Sequence, residues 1–543
     1  MKSVMKFALA LALAHARANT VIKTSAAPSG PSGAAQGIVD GRGRLTTSMQ
    51  YGTDPATGKL VPGGASAQMI QAMTNIAKVF AAADLEIAQS GTSCWLYGFN
   101  ATTFGDISGA YNTFFPDAAH HPARNPTGAT LVLEGALVGV SCRGFPQGGK
   151  RIAPADFFAS DFNAQGLLVD GGAHLFTSAQ VGADPVTGDL VSGGAASEAR
   201  QAMSNLAVVF AAAFPALGAA ALAERASECQ LMIVNDTGSG AAASVWKAVE
   251  DEVATFFNAG SLPAVSITGF PAGSLPIPAL VAATCNGVGA SANRTSLASG
   301  GGIVERVGGT MLLQANPTYG EDVSAAFGAT AALFDEAFPN LATAGAPAAA
   351  LRSAATACEL WLADPAADAD AALASLSALF VDLPALTVTK AALPTARRTD
   401  GPVALQCFGS HTNSLPDAGG AAGVHWSWDM SELVGGTCKK ESGNGTIVPG
   451  SGGNTGQQVA SCKAQGHTLT LHCRVNVTAA TSASASGTPT TTTTGSAGAL
   501  SLQAHFTNSG YPRPPHTTHF DGPVVHSGCS TIDLSVIGQC CFV

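Results

Sequence analysis

The sequence contains few charged residues and no long apolar run. Lys, Arg, Asp and Glu together make up 11% of its 543 residues, whereas about 25% is usual for a globular protein. Acidic residues outnumber basic ones by 36 to 26, and the net charge of −10 gives no field for capturing a phosphate backbone or an anionic membrane. No segment reaches the roughly 20 apolar residues, free of charge, Gly and Pro, that a membrane helix needs. We therefore expect neither nucleic acid nor a membrane among its partners.

The N-terminus has the three parts of a secretory signal peptide. Two lysines lie within the first six residues, residues 7–14 are apolar, and Ala14 and Ala16 offer the small side chains that a signal peptidase selects. We predict that residues 1–16 are a signal peptide and that the protein is secreted. An organellar transit peptide is the alternative, because the first 39 residues contain no acidic side chain. Five sequons agree with secretion and predict glycosylation at Asn100, Asn235, Asn293, Asn444 and Asn476.

An internal repeat divides the chain. The stretch TSMQYGTDPATGKLVPGG at 47–64 recurs as TSAQVGADPVTGDLVSGG at 177–194, and a helical segment that starts with QAM follows each copy. A third, more diverged copy begins MLLQANPTYGED, with Gln314 in the place of Gln50 and Gln180. Each copy has the pattern of a strand or hairpin, a helix, a strand, a second helix and a last apolar strand. This order predicts the α+β class, with two helices on one side of a mostly antiparallel sheet.

Six of the twelve cysteines recur at matched positions. Each copy has one at the start of its middle strand and one at the end of its last strand, which gives the pairs Cys94 and Cys142, Cys229 and Cys285, and Cys358 and Cys407. The register predicts one disulfide within each copy, and hence an oxidising compartment. Six buried free thiols are the alternative. No two of these cysteines lie at the close spacing of metal-binding pairs, so we expect no metal site.

These residues resemble the Rid (reactive intermediate deaminase, YjgF-like) family. The shared order is TSxQ, DPxTG, a QAMxN helix, a strand, a helix ending in FF, a Pro-Ala-Arg element and a last apolar strand. The resemblance spans residues 37–144, 168–287 and 302–409 and is weakest in the third copy. Members of the family form trimers of a chorismate-mutase-like fold, with ligand clefts between subunits. Three copies in one chain imply a monomer packed as an intrachain pseudo-trimer, and three separate beads are the alternative.

The resemblance also implies a site. In the family, the arginine of Pro-Ala-Arg binds the carboxylate of a 2-imino acid, and a glutamate on the last strand orients the water that hydrolyses it to a keto acid and ammonia. No metal or organic cofactor takes part. The matching residues here are Arg124 and, in a last strand predicted over 131–140, Glu134. Ser108, in the place of a helix asparagine of the family, and Gln50 are further substrate-binding candidates. A surface-loop arginine is the alternative interpretation of Arg124.

The other two copies lack this arginine. Val265 and Leu386 take its place, so one cleft at most is competent to bind a carboxylate in the family's way. Three functions follow as hypotheses. They are a single-site deaminase of small imino acids, a secreted ligand-binding or structural protein built from decayed Rid domains, and an endoribonuclease, an activity also attributed to some family members. The acidic composition counts against the third.

The C-terminal region differs in composition. Residues 425–543 are rich in Gly, Ser and Thr and include a Thr/Ser-rich insertion at 478–498. The region also holds the remaining six cysteines: Cys438, Cys462, Cys473, Cys529, Cys540 and Cys541. We predict a small β unit stabilised by disulfides whose connectivity the sequence does not specify.

Overall fold

A computed structural model describes most of the chain up to residue 412 and a set of strands beyond it. The described residues are 19–30, 33–100, 102–154, 157, 163–234, 242–257, 262–275, 277–289, 292–307, 310–342, 348–363, 367–380, 382–394, 401–412, 424–430, 441–447, 455–464, 467–477, 500–509 and 523–524. The predicted signal peptide, the sequon at Asn235, the insertion at 478–498 and the pairing of the C-terminal cysteines lie outside them. The described residues fall into two compact units, one up to His411 and one from Thr412 onwards.

The first unit contains three α+β domains, each with its own sheet. Domain 1 (residues 19–144) comprises β1 Thr20–Ile22, β2 Gly37–Val39, β3 Leu45–Thr47, β4 Gln50–Tyr51, α1 Gly64–Ala82, α2 Ile87–Ser90, β5 Gly91–Tyr97, α3 Phe104–Asn112, β6 Ala123–Thr127, β7 Thr130–Leu131 and β8 Gly139–Gly144. Domain 2 (149–289) comprises β9 Gly149–Ile152, β10 Gly166–Val169, β11 His174–Thr177, β12 Gln180–Val181, α4 Gly194–Ala213, α5 Ala221–Arg225, β13 Ala226–Val234, α6 Ala242–Ala254, β14 Ala264–Phe270 and β15 Val281–Val288.

Domain 3 (292–412) repeats this plan. It comprises β16 Asn293–Ser296, β17 Gly302–Val307, β18 Thr310–Ala315, β19 Thr318–Gly320, α7 Val323–Ala337, α8 Ala349–Ala354, β20 Ala355–Leu362, α9 Ala369–Leu379, β21 Ala385–Lys390 and β22 Val403–Thr412. The second unit has an antiparallel pair, β23 Val424–Met430 and β24 Glu441–Ile447, and an antiparallel sheet of β25 Thr455–Ala464, β26 His467–Val477, β27 Leu500–Ser509 and β28 Pro523–Val524. The predicted α+β class and the β character of the C-terminal region are therefore confirmed.

The three sheets have one strand order. Domain 1 is ordered β1-β2-β3-β8-β5-β6, and domains 2 and 3 follow the same order with their equivalent strands. Only the pairs β5/β6, β13/β14 and β20/β21 are parallel, because the chain crosses back over the sheet through α3, α6 or α9 between their strands. The sequence prediction missed β6, β14 and β21, and in domain 1 it extended the last strand over 131–140 instead of Gly139–Gly144.

The long helix of each copy packs its apolar face on the sheet. In α1, Met69, Met73, Ile76 and Phe80 recur at helical spacing and are fully buried. Two glycines open the helix, Gly63 as the residue before it and Gly64 as its first residue. Both have left-handed backbone angles, with φ of 108° and 77°, which favour glycine. The same pair opens α4, which explains why both repeat copies end in GG.

The third copy aligns differently from the sequence prediction. Gln50 lies opposite Val140, two residues before the second cysteine, and Gln180 lies opposite Ala283 in the same way. In domain 3 the residue at this position is Thr318, opposite Leu405. Gln314 instead pairs with Ile303 inside the first hairpin. The match to Gln50 and Gln180 was therefore wrong by four residues, because the hairpin of domain 3 is longer than those of the other two domains.

The six matched cysteines form three disulfides. Cys94–Cys142, Cys229–Cys285 and Cys358–Cys407 each join residues directly opposite one another on the middle and last strands. Each bond faces the helices, within the apolar core of its own domain. This is the pairing that the register of the cysteines predicts.

The three domains close into a ring through hydrogen bonds between neighbours. At each junction, the backbone N–H of the residue opposite the first cysteine donates to a side chain of the next domain's hairpin. These bonds run from Arg124 to Ser178 Oγ at 2.9 Å, from Val265 to Asn316 Oδ1 at 2.9 Å and from Leu386 to Ser48 Oγ at 2.7 Å. Domain 3 thus returns to domain 1. At this junction β7 also pairs with β21, and Asn19 Nδ2 bonds the carbonyl oxygens of Ala354 and Ser410 at 3.2 Å.

The inner faces of the sheets share one core. Trp95 and Tyr97 of domain 1, Met232 of domain 2 and Trp361 of domain 3 belong to a single buried cluster. Arg42 of domain 1 also contacts both other domains. Its Nε donates to Asp170 Oδ2 of domain 2 at 2.6 Å, and its Nη1 donates to the carbonyl of Val307 in domain 3 at 2.8 Å.

Among the described residues, no single helix is long and apolar enough to span a membrane. The pair formed by α4 and residues 218–225 meets the length and apolarity criteria together, but it is bent by 119°.

Loss of the first disulfide should destabilise domain 1. The bond closes a loop of 48 residues, for which chain entropy gives about 4 kcal/mol. We expect the double variant Cys94→Ala/Cys142→Ala to unfold at a clearly lower temperature in calorimetry. Peptide mapping without reductant should recover each of the three bonded pairs, and free thiols at these six positions would contradict the structure.

The Arg42 contacts should stabilise the ring. We expect Arg42→Ala to lower the unfolding free energy by about 1–3 kcal/mol, because it leaves Asp170 and the Val307 carbonyl without their partner. Arg200→Ala is the matched control, since Arg200 is 62% exposed and pairs only with Glu252 on the same domain's surface. Equal thermal midpoints for the two variants would show that Arg42 does not hold the domains together.

Candidate functional site

Arg124 lies at the junction of domains 1 and 2. It is the second residue of β6 and pairs with Cys94 in the parallel ladder, so its side chain points towards α3. The guanidinium carbon lies 5.9 Å from the ring centroids of both Phe104 and Tyr111, and Nη1 donates to Ser108 Oγ at 3.3 Å. The structure therefore brings together two of the predicted site residues, Arg124 and Ser108, and places them between aromatic rings.

The guanidinium is buried without a counter-ion. Arg124 is 7% exposed, and no carboxylate of the described residues pairs with it. Burial lowers the pKa of Arg124, and the phenol of Tyr111 offsets this only in part. An unpaired buried charge is costly, whereas a bound anion would supply the missing partner and match the planar fork of donors. The site is therefore suited to a carboxylate.

Domain 2 supplies the opposite side of the junction. Ser178 Oγ accepts the Arg124 N–H and also a hydrogen bond from Asn163 Nδ2 at 2.8 Å. The N–H of Ala179 donates to the Arg124 carbonyl at 3.2 Å. Gln180 follows directly, and its Nε2 donates to Gln165 Oε1 at 2.8 Å. The amide that borders this junction is thus Gln180.

Gln50 belongs to another junction, which corrects its assignment to the Arg124 site. It follows Met49, whose N–H donates to the carbonyl of Leu386 in domain 3 at 3.0 Å. Gln50 lies away from Arg124 because of the ring. In each domain, the strand that holds the arginine position contacts the hairpin of the next domain and not the hairpin of the same domain. Gln50 is 1% exposed, and its amide has no hydrogen-bond partner among the described residues.

Glu134 does not lie on the last strand, which corrects its predicted role. It is exposed in a turn between β7 and β8, closed by a hydrogen bond from the Ala136 N–H to the Leu133 carbonyl at 3.1 Å. Gly135 in this turn has φ of 76°, a conformation that breaks an extended strand. The last strand, β8, has the sequence GVSCRG and carries no carboxylate.

The two junctions without the arginine differ from the first. Leu386 is buried in the apolar core of domain 3, and the N–H of Val265 meets Asn316. The junction of domains 3 and 1 has a cavity of about 240 Å³, lined by Lys23, Ala35, Phe380, Asp382 and Leu383 among others. No guanidinium lines it.

Tyr111 was missed by the sequence prediction. A signal was available, because Phe104, Ser108 and Tyr111 follow one another at spacings of four and three residues and so share one face of α3. The structure turns this face towards Arg124.

A second polar cluster lies where the three domains meet. Arg143 of domain 1 has Nη1 3.8 Å from Glu228 Oε2 of domain 2, and its guanidinium lies over Phe176 of domain 2 and Phe408 of domain 3 at 5.7 and 5.2 Å. Gln230 and Asn286 also donate to the Glu228 carboxylate, both at 2.9 Å. The contacts of Arg143 join the three domains, and the hydrogen bonds to Glu228 lie within domain 2. Because these groups satisfy one another, we assign the cluster to stability.

Glu305 of domain 3 lies in the same interior. It is 1% exposed, and its Oε2 lies 3.8 Å from Nδ1 of His174 in domain 2. Burial raises the pKa of Glu305 to about 7, against the opposing charges of Arg44 and Arg294. Burial likewise holds the pKa of His174 well below its ordinary value. Within the described residues, no group of three or more His, Cys, Asp or Glu side chains could hold a metal ion.

A ring of three α+β domains that contact one another head to tail is the architectural class that these observations define. A family model described as Endoribonuclease L-PSP matches residues 27–143. Over 123 residues, or 22% of this chain, the sequence is 30% identical to the 2-iminobutanoate/2-iminopropanoate deaminase of Rattus norvegicus and covers 88% of it. The corresponding protein of Bos taurus is 29% identical over the same length.

The chain also matches solved structures over about a quarter of its length. The crystal structure of a putative endoribonuclease L-PSP from Entamoeba histolytica is 28% identical, with 23% of this chain and 98% of that chain covered and a TM-score of 0.22. On the sequence relationship to the curated deaminases, the chain belongs to the Rid (YjgF-like) family.

The buried carboxyl of Glu305 should make stability depend on pH. Its folded-state pKa of about 7 lies above the ordinary 4.5, so between these values the folded state binds the proton more tightly than the unfolded state. The unfolding free energy should therefore fall as pH rises from about 5 through 7, by about 2–3 kcal/mol for this group.

Glu305→Gln should reduce this pH dependence and raise stability above pH 7, which thermal unfolding from pH 5 to 8 would show. The dependence that remains should come from Glu359, because burial raises the pKa of that carboxyl to about 7 as well. Glu86→Gln, at an exposed carboxyl of domain 1, is the control and should leave the profile unchanged. An unchanged profile for Glu305→Gln would mean that this carboxyl is ionised throughout the range.

Proposed function

We propose that the protein hydrolyses small 2-imino carboxylic acids to 2-oxo acids and ammonia at one site, the Arg124 junction. The observation that carries the proposal is the buried guanidinium of Arg124, which has no carboxylate partner in the described chain. The names of the rat and bovine relatives support the substrate class. Arg124 would hold the substrate carboxylate, which fixes the adjacent imine carbon in the cleft between α3 and domain 2.

The chemistry needs little beyond this positioning. Water adds its oxygen to the carbon of the protonated imine, and one proton of the added water passes to the nitrogen. The C–N bond then breaks as the C=O bond forms, which releases ammonia, and the remaining proton on oxygen passes to solvent. The hydroxyl of Ser108, which accepts a hydrogen bond from the Arg124 side chain, can orient that water. Because β8 carries no carboxylate, proton transfer falls to hydroxyls and solvent, so we expect a modest rate acceleration.

A second function is favoured by the position of Glu134. With this carboxylate exposed in a turn, the Arg124 junction has the group for binding but lacks the glutamate that would orient water. Binding of a small 2-oxo or 2-imino acid without turnover is therefore the alternative. The net charge of −10 gives no support to cleavage of RNA.

Arg124→Gln should abolish the activity. Imines generated by an amino-acid oxidase are trapped with semicarbazide, and the wild-type protein should lower the yield of semicarbazone by consuming the imine. We expect the variant to lose at least about tenfold in this rate, since it removes a charged donor to the carboxylate. Arg200→Gln, on the exposed surface of α4, is the matched control.

Direct binding separates the two functions. If the wild type binds 2-oxobutanoate in calorimetry, depends on Arg124 for it and does not consume the imine, the protein is a binder. If it neither binds the oxo acid nor consumes the imine, both functions are wrong. Full activity of Arg124→Gln would show that the site lies elsewhere.

A further inference from the structure

Tyr111 has a buried hydroxyl that the fold does not use. The side chain is fully buried in α3, with its ring centroid 5.0 Å from that of Phe115. The ring thus contributes to the core of domain 1. The hydroxyl has no hydrogen-bond partner among the described residues. An unpartnered buried hydroxyl costs free energy that phenylalanine would avoid, so packing alone does not account for tyrosine here.

The aromatic ring of Tyr111 lies beside the Arg124 guanidinium. The Tyr111 ring lies 5.9 Å from the guanidinium carbon, and the guanidinium acts to lower the pKa of the phenol. Burial acts more strongly in the opposite direction, and the pKa of Tyr111 is raised well above its ordinary value. The hydroxyl therefore keeps its proton at any physiological pH and can act as a donor beside the positive charge.

The other two domains provide an internal comparison. Tyr111 precedes Phe115 by four residues, and the residues that precede Phe257 and Phe380 by four are Val253 and Leu376. Both are buried. The arginine position is likewise aliphatic in these domains, with Val265 and Leu386. A tyrosine thus accompanies the arginine in domain 1, and aliphatic side chains replace both together in domains 2 and 3. This pattern links the Tyr111 hydroxyl to the ligand of Arg124 and not to the common fold.

We propose that the Tyr111 hydroxyl is a second ligand-binding group of the Arg124 junction and donates a hydrogen bond to the carboxylate that Arg124 binds. The inference rests on the proposed function, since it assigns a role at the same site. It identifies the ligand more narrowly as a carboxylate that accepts hydrogen bonds from two sides, from a guanidinium and from a neutral hydroxyl. A ligand without that anionic group would gain nothing from Tyr111.

The test compares Tyr111→Phe with the wild type in binding 2-oxobutanoate, measured by calorimetry on the full chain. We expect about a tenfold weaker affinity, the usual effect of losing a hydrogen bond to a charged group. The neutral ketone butan-2-one, measured by ligand-observed NMR, should bind both proteins equally. Tyr97→Phe, which removes another buried hydroxyl of domain 1, is the control and should bind 2-oxobutanoate as the wild type does.

The possible results separate this inference from the proposed function. If Arg124→Gln loses 2-oxobutanoate and Tyr111→Phe binds it as the wild type does, the site stands and the role of Tyr111 is wrong. If the wild type does not bind 2-oxobutanoate, the site itself is wrong. Thermal unfolding guards against a misfolded variant, since Tyr111→Phe should be as stable as the wild type or more so. Equal weakening of oxo acid and ketone would show a packing defect and overturn the inference.

Discussion

The ring depends on one repeated hydrogen bond between neighbouring domains. The parallel strands β6 and β14 lie at the edges of their sheets, and β21 is covered only at its last two residues, by β7 of domain 1. Each strand would otherwise leave backbone groups unpaired. A side chain of the next domain's hairpin accepts one of these N–H groups at every junction. The residue that donates its N–H is also the one at the arginine position. At the first junction, Arg124 therefore joins the domains and is also the central residue of the proposed ligand site.

Placing all three junctions in one chain frees them to differ. In a trimer of identical subunits, one substitution alters every cleft at once, whereas here each junction has its own residues. Arg124 has a polar and aromatic setting, Leu386 lies in an apolar core, and Val265 meets an asparagine. Residues in the interior also differ between the domains. Arg143 of domain 1 contacts Glu228 of domain 2 and Phe408 of domain 3. Such a cluster has no three-fold counterpart and requires three distinct domains.

The sequence predicts features that are local or repeated. It does not predict which residues of different domains lie together, because the packing of the domains in the ring determines that. The α+β class follows from periodicity, and the disulfide pairing follows from register. The family resemblance named Arg124 and Ser108 as site candidates, and the structure adds the contact between them. Gln50 was grouped with Arg124 because both lie in the first copy, but the head-to-tail ring places Gln180 there instead. Glu134 was misplaced because a single glycine, Gly135, turns an alternating apolar run into a loop. Thr318 was missed because the third hairpin has a different length.

The bonds from Asn19 to Ala354 and Ser410 show that the first and last segments of the ring meet. The order in which the domains follow one another along the chain is therefore separable from the order in which they pack. A circularly permuted chain, joined at these ends and opened between β8 and β9, would have the same three junctions. The folded unit is therefore the closed ring of three domains, and the same ring can be formed by chains that begin at different domains.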